Sequence, residues 1–575
     1  MTRRAGPALV RIVGLVAAVA LGTTYLATPP PRERLQLNGA AGPASPVRGV
    51  VHVHSSRSDG TGDVEAIAAA ASRAGLRFVV FTDHGDGRRT PATPRYQSGV
   101  LCIDGVEVST NNGHVIALGL DRTPYILGGD AAGVVEDIAR WGGLSIVAHP
   151  DSAKAELRWT APDLPFDGFE WLNADSEWRD EGVVSLARSV ATYWFRGPES
   201  LARLLNRPAA LDQWDALTRR RSVVALAGSD AHARLGIGGI GEPRASDVSI
   251  PLPSYEQLFQ TASVTLDGVS LSGDAVEDAR HVLTAIRRGR VFSTIDGVAT
   301  PGQLIFSAAT GSGTAAMGES LDPGGPVTLT VETNAPQTAV IRLFKDGIAV
   351  QATAGPRATR IESADPATYR VEVQMPNSPG HPLAPWLVSN PIYVRRPAPS
   401  PPTEAPAAAV TSIYRDGPAS GWGVERSARS SAALDVVPDT TGTQVAFRYA
   451  LGGTASESPF AAIAVPLTGS AAHTGVRFRA RASQPMRVSV QLRVPDAAGG
   501  QRWRGSVYLD DTLRTVTVPF STMRRTEAST PEAIPLAEVR SMLIVVDHTH
   551  TPLGTSGRVW LDDLALILDT PTPRP

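Results

Sequence analysis

The chain has 575 residues, 42% of them hydrophobic, enough for about three or four domains with packed cores. Its 54 basic and 56 acidic residues leave a net charge of −2, so no global basic bias argues for nucleic-acid binding. The single cysteine, Cys102, excludes an intrachain disulfide, and its place in the apolar run VLCIDGVEV reads as a buried, inert thiol.

The N-terminus, MTRRAGPALVR, carries three arginines and no acid. An apolar or uncharged stretch follows over 12–27, and TPPPRER ends it. That layout predicts an export signal or a membrane anchor over 1–27, although the run is short beside the ~20 residues of a spanning helix. Tyr25 spoils a small-x-small cleavage site near Ala27. The chain is therefore expected to be exported, periplasmic or extracellular, and held at a membrane if the segment stays uncleaved. Residues 28–46, rich in Pro, Ala and Gly, read as a linker.

From 47 to 297, strands alternate with helices. VRGVVHVHS, RFVVFTDH, VLCIDGVEV, HVIALGL, LSIVAHP, FDGFEWLN and VVALAGSD are short β-branched runs suited to buried strands. GDVEAIAAAASRAG predicts a helix with Val64, Ile67, Ala68 and Ala71 on one face and Gly75 as its stop. Further helices are expected at 133–141, 180–195, 198–220 and 274–288. The last has Asp274 as its cap and Val276, Ala279, Val282, Leu283 and Ile286 at helical spacing. This alternation indicates an α/β barrel or a doubly wound sheet. Over 298–396 the pattern changes to strands broken by Pro, Gly and Asn, with Asp346-Gly347 as a hairpin turn, which reads as a small β-sandwich. A Pro/Ala linker spans 397–409. Residues 410–568 alternate as a jelly-roll-like sandwich, and 569–575 form a Pro/Thr-rich tail read as disordered.

Six of the eleven histidines fall between 52 and 232, each near a predicted strand end. They are His52 and His54 in VHVHS, His84 in FTDH, His114 in NGHV, His149 in IVAHP and His232 in GSDAH. Asp59, Asp83, Glu107 and Asp230 are interleaved. Neutral imidazole and carboxylate are ligands that divalent transition metals favour. In barrels and doubly wound sheets alike, the C-terminal strand ends carry the site. On a strand, residues two apart share a face, so His52 and His54 can reach one ion. Asp83 is either a partner that orients His84 or a turn carboxylate.

With these motifs in this order, residues 48–297 resemble the polymerase and histidinol phosphatase (PHP) superfamily. The resemblance implies a distorted seven-stranded βα barrel followed here by two β-sandwich domains. It implies two or three divalent ions, Zn, Mn or Fe. His52, His54, Glu107 and Asp230 would hold one; Glu107 would bridge to a second held by His114 and His149; Asp59, His84 and His232 would hold a third. The segments SSRSDGTG, AIRRGRVFSTIDG and PWLVSNPIYV are most similar to the family's exported carbaryl-hydrolase-like branch.

The chemistry expected of such a centre is hydrolysis by a metal-bridging hydroxide, since metal binding lowers the pKa of water from 15.7 to ~7. The leading expectation is a phosphoesterase acting on small phosphate esters or nucleotides. The alternative on the same centre is a carbamate, aryl-ester or amide hydrolase. Asp230 is assigned proton uptake, and His232 leaving-group protonation if it is not metal-bound. Arg88, Arg89, Lys154 and Arg244 are candidates for an anionic substrate, or else solvated loop residues; Glu170 and Asn173 line the cavity or pack. The stretch of Gly236, Gly238, Gly239 and Gly241 suits close backbone passage.

His281, His381, His473, His548 and His550 read as surface residues. Trp503, Tyr508 and Trp560 form either a sugar-stacking platform or part of the core. From another class altogether, the chain would be a glycan-binding surface module with an inactive barrel.

Overall fold

The computed structural model describes residues 19, 22–23, 29–39, 46–179, 181–236, 249–395, 409–439, 442–468, 470–495, 500–526 and 533–568. The basic and apolar N-terminal segment lies almost wholly outside these residues, as do Arg244, most of the glycine-rich stretch, most of the 397–409 linker and the tail. Among the described residues, no helix is long and apolar enough to cross a membrane. The chain divides into two units. The first comprises Met1–Gly85, Pro91–Leu120 and Ile138–Ala398; the second comprises Asp86–Thr90, Asp121–Asp137 and Pro399–Pro575.

The first unit is built on a closed seven-stranded barrel. Its strands are β1 (Val47–Val53), β2 (Phe78–Phe81), β3 (Val100–Thr110), β4 (Gly113–Leu118), β5 (Leu144–Val147), β6 (Gly168–Asn173) and β7 (Val224–Ala231). Pairing of β7 with β1 closes the ring. Every pairing is parallel except the two made by β4, which runs against its neighbours. Val51, Phe78, Val80, Leu101, Ile103, Ile116 and Ile146 share one apolar cluster, as the β-branched runs require.

Helix α1 (Val64–Arg73) shows why the local sequence folds as it does. The Asp63 carboxylate accepts from the Ala66 N–H and caps its start, and Gly75 at φ 73° ends it where a side chain would be strained. Ile67, Ala68, Ala70 and Ala71 are buried. An Ile-sized side chain so placed contributes about 1.5–3 kcal/mol. One of the expected helices is shortened and another is interrupted. Over 180–195 the helix begins only at Val183, after a Gly182 cap, and a separate short helix spans Ala174–Arg179. Over 198–220 it splits into Gly197–Ala202 and Ala210–Thr218, with Pro208 between them disfavouring helix at the residue before it. Ala275–Arg287 forms with Asp274 capping Val276 and Glu277, but Val276 faces solvent.

Residues 304–362 contribute a four-stranded sheet, ordered Gly313–Ala316, Leu304–Thr310, Val327–Thr333 and Arg357–Glu362. The strands Val340–Lys345, Ile348–Ala354, Ala367–Gln374 and Leu387–Ser389 form a second layer. Asp346 and Gly347, both at positive φ, make the expected tight hairpin turn. Leu387–Ser389 pairs with Val291–Thr294, which pairs with Ser263–Leu266 and so with β1. The second layer and the barrel thus share one continuous sheet, while the four-stranded sheet stands apart from it. Cys102 is buried in β3, and burial pushes its thiol up to about 11, which keeps it protonated and unreactive.

The second unit is a two-sheet β-sandwich around one large apolar core. One sheet runs β8 (Ser431–Asp439), β9 (Gly442–Ala450), β13 (Ser556–Leu568), β10 (His473–Ala482) and β12 (Arg514–Pro519), with Val410–Tyr414 also on β13. The other includes β11 (Met486–Val494), Gln501–Leu509 and Ser541–Asp547. Arg487 of β11 is fully buried, with Nε 2.6 Å from Asp137 Oδ2 and Nη2 2.9 Å from Asp137 Oδ1. His550 is buried as well, its Nδ1 3.2 Å from the Ile126 carbonyl, so the surface reading of that histidine is corrected. The hydrogen-bonding carbonyl makes an interior imidazole tolerable. Trp503, Tyr508 and Trp560 form no common platform. Trp503 lies in the core, Tyr508 is on the same strand facing outward, and Trp560 is on the outer face of the opposite sheet.

Candidate metal centre

The strand ends of the barrel deliver the predicted ligands to one rim. His52 and His54 close β1, His84 follows β2, Glu107 lies on β3, His149 follows β5, and Asp230 and His232 end β7. Because β4 runs the other way, its first residues reach the same rim, and they include His114. Simple alternation along β1 does not place His52 and His54. A bulge shifts the register between Val51 and Val53, and His52 takes φ 67°. His149 and Asp230 also adopt positive φ, at 31° and 47°. Such conformations cost about 1–3 kcal/mol each and cluster at functional sites.

Glu107 is the hub. Its Oε2 lies 3.3 Å from His52 Nε2, 3.2 Å from His54 Nε2 and 3.2 Å from His84 Nδ1. Its Oε1 lies 2.8 Å from His114 Nδ1 and 3.0 Å from His149 Nε2. Asp230 Oδ1 is 3.3 Å from both His52 Nε2 and His54 Nε2. Asp59 Oδ1 is 3.3 Å from His54 Nδ1, and its Oδ2 is 3.2 Å from His232 Nε2 and 3.7 Å from His84 Nε2. Three groups of donors are close enough to share an ion: His54, Asp59, His84 and His232; His52, His54 and Glu107; and His84, Glu107 and His114. The expected sets thus exchange members: His54 also joins Asp59, and His84 joins Glu107 and His114.

The imidazole protons are placed by neighbours. The Nδ1–H of His52 donates to Glu170 Oε1 at 2.7 Å, that of His149 faces the Leu157 carbonyl at 3.2 Å, and that of His232 faces the Asp230 carbonyl at 2.9 Å. In the neutral ring each Nε2 is thereby left as a lone pair, and each points at a carboxylate oxygen. Two acceptors face to face repel unless a cation sits between them. His52 Nε2 and His54 Nε2 are buried with no hydrogen-bond partner. Two ligands at 2.0–2.1 Å on one tetrahedral ion stand about 3.4 Å apart. The 3.2–3.3 Å separations among His52, His54, Glu107 and Asp230 match that spacing. The residues fit divalent metal.

Protons are the competing cations. Burial opposes charge on His52, but Asp230, Glu170 and Glu107 outweigh it and hold the imidazole well above its usual range. Burial likewise works against the Glu107 carboxylate, yet His52, His114 and His149 keep it well below the usual carboxylate range. His84 is the exception: burial lowers it, with Glu107 only partly offsetting this. The His84, Asp59 and His232 side is also the more exposed, with side chains 36%, 33% and 19% accessible against 0–1% for His52, His54 and Glu107. The cluster meets solvent on that side.

Other sequence candidates fall differently. Asp83 does not orient His84. Its carboxylate accepts from Ser55 N–H at 2.7 Å and Ser58 Oγ–H at 2.8 Å and pairs with Arg57, pinning the turn after His54. Arg88 and Arg89 belong to the second unit, where the Arg88 N–H donates to Asp86. Lys154 starts the turn whose Leu157 carbonyl holds His149. Glu170 acts through His52 and also accepts from the His149 N–H and Asn173 Nδ2, both at 2.8 Å. Gly228 makes room for it: a Cβ there would stand 1.9 Å from Glu170 Oε1. Tyr255 was not legible as a site residue. Its hydroxyl donates to the His54 carbonyl at 2.8 Å and lies 3.1 Å from that of His232, and only a lone aromatic at a helix start signals it.

No protein-family model matches the chain, and no curated protein matches it. Among solved structures it is similar to a family 11 carbohydrate-binding module of the cellulosomal cellulase Lic26A-Cel5E of Clostridium thermocellum, at 16% identity over 29% of this chain and 99% of that one, with a TM-score of 0.24. The same family's module in complex with a β-1,3-1,4-mixed-linked tetrasaccharide gives 16% identity, 28% and 96% coverage and a TM-score of 0.24. A further match, titled for the promiscuous specificity of carbohydrate-binding modules of the β-sandwich superfamily, gives 14%, 47%, 98% and 0.21.

Proposed function

We propose that the chain is a metal-dependent hydrolase of the polymerase and histidinol phosphatase type, its barrel a distorted βα barrel, and that it cleaves small phosphate esters. The observation that carries this reading is the set of imidazole lone pairs fixed toward carboxylates around Glu107. Bound divalent ions would supply Lewis acidity and would lower the pKa of water toward ~7. Glu107 would bridge, with His52, His54 and Asp230 on one side and His114 and His149 on the other. Asp59, His84 and His232 would hold the outer position. Asp230 would take the proton released as water attacks, and His232, on the open side, would return one to the leaving oxygen only where the outer position holds no ion. Several adjacent cation positions suit a group whose charge is spread over several oxygens. Elemental analysis of the purified protein, with turnover of aryl phosphates against aryl carbamates, tests the proposal. Two or more ions per chain and phosphate release lost in Glu107→Gln are expected. Preference for the carbamate would move the chemistry to carbon. Metal-free protein inert on both would leave a binding module with an inactive barrel.

A second reading concerns the second unit alone: it binds a saccharide. Trp560 supports it, as a partly exposed indole on the outer face of a sandwich sheet, held between arginines. Retention of the full chain on immobilised glycans tests it.

A further inference from the structure

The outer face of the sheet containing Trp560 is arginine-rich by register. On β10, Val476, Phe478 and Ala480 point into the core, so Arg477, Arg479 and Arg481 alternate outward. On β9 and β13, Phe447 and Val559 point inward, so Arg448 and Arg558 face outward, directly opposite one another. Like charges placed opposite each other on a sheet destabilise it. Arg481 lies across from Trp560 and stacks on it, with Cζ 3.8 Å from the ring centroid, and Arg558 approaches the same ring at 5.4 Å.

The pairing on this face is incomplete. Arg448 pairs with Asp435, and Arg479 with Asp562 and Asp563. Among the described residues, Arg477, Arg481 and Arg558 have no carboxylate within 4.0 Å. A guanidinium seated over an indole is held in place, and its N–H donors suit a planar, bidentate anion. Arg477, Arg479 and Arg481 repeat every second residue, about 6.8 Å apart along the strand. Beside them a groove of about 220 Å³ is lined by Arg415, Arg477, Arg479 and Thr515, with Asp563 also in its wall and paired with Arg415 and Arg479.

We infer that this sheet face binds a linear polyuronate, a saccharide chain bearing a carboxylate on successive sugars. The inference rests on the saccharide-binding reading of the second unit and narrows it to an anionic ligand. Guanidiniums set out along one strand, with Arg477 and Arg481 lacking a carboxylate of their own and Arg479 between them already paired, match carboxylates set out along one chain. A nucleic acid would want several open aromatic faces for its bases, and among the described residues the strands of this face turn a single aromatic, Trp560, outward. A membrane would want apolar side chains to insert, and this face presents arginines instead.

The test is affinity electrophoresis of the full chain against polygalacturonate, mixed-linkage β-glucan, duplex DNA and anionic vesicles. Arg477→Glu and Arg481→Ala serve as variants, and unchanged melting of each shows that it folds. Polygalacturonate binding that weakens with salt, and about tenfold or more in either variant, is expected. Binding of the neutral glucan but not polygalacturonate overturns the inference and leaves the saccharide reading standing. Binding of neither saccharide overturns both. DNA or vesicles held as tightly as polygalacturonate, and lost in the same variants, overturn the assignment to a saccharide. Polygalacturonate binding unchanged in both variants overturns the assignment to this face.

Discussion

The barrel rim and the arginine face of the second unit are opposite solutions to holding charge. At the rim, imidazoles and carboxylates converge in a buried space, and the unmet lone pairs call for a cation. On the sheet face, guanidiniums stand apart at a half-open surface, and the unmet donors call for an anion. Burial makes the difference. An unpaired buried polar atom costs enough to indicate a missing partner, whereas an unpaired surface arginine costs little and shows its purpose only through register. The second unit contains both regimes, since Arg487 on its other sheet is fully buried and bidentate to Asp137.

The sharpest way to break the comparison is at the hub. Glu107→Gln removes the oxygen charge that both sets of histidines face, and loss of bound metal and of hydrolysis together is expected, measured by elemental analysis and initial rates. Next comes Arg487→Ala. It leaves Asp137 buried without its partner and should destabilise the second unit by about 3–5 kcal/mol in denaturant titration. Arg481→Ala should shift the same transition by less than about 0.5 kcal/mol. Equal effects would erase the distinction between buried and exposed arginine. Smaller again, Glu170→Gln frees His52 to turn and should weaken metal affinity about 10–100-fold, read by competition with a chelating dye. Gly228→Ala should act in the same direction by displacing Glu170.

The smallest effect separates proton from metal. In chelated protein, His52 and His54 are raised above 6.5, so their stabilisation is complete below that pH and is lost as pH rises through the folded values. Glu107 and Asp230 are lowered, so theirs is present above the unfolded carboxylate range and is lost as pH falls. Melting temperature of chelated protein should therefore fall as pH rises above neutrality, and metal-loaded protein should resist that fall.

Most of the ligand residues were legible because they follow β-branched runs, whose ends the barrel brings together, whereas His114 opens its strand and Asp59 lies in the turn after β1. The geometry that makes them converge was not. A bulge at His52, a left-handed Asp230 and a reversed β4 belong to tertiary closure, which no local pattern encodes. Glu170 reads in sequence as any strand carboxylate, and only its contact with His52 gives it a role. The arginine face was missed for a different reason. Arg477, Arg479 and Arg481 look like the polar half of an amphipathic strand, and their company on β9 and β13 comes from sequence as far apart as Arg448 and Arg558.

The reversed strand also acts as a ruler. Ser109 pairs with His114, so Glu107 and His114 are diagonal neighbours on one face of a tight hairpin. Deleting one residue from the Asn111–Asn112 bend would slide that pairing by one and turn His114 to the opposite face. Loops elsewhere on the rim can vary in length and still return a histidine to its place. In the proposed metal centre the count of residues would itself be part of the coordination chemistry, with the hairpin's length as constrained as the identity of its ligands.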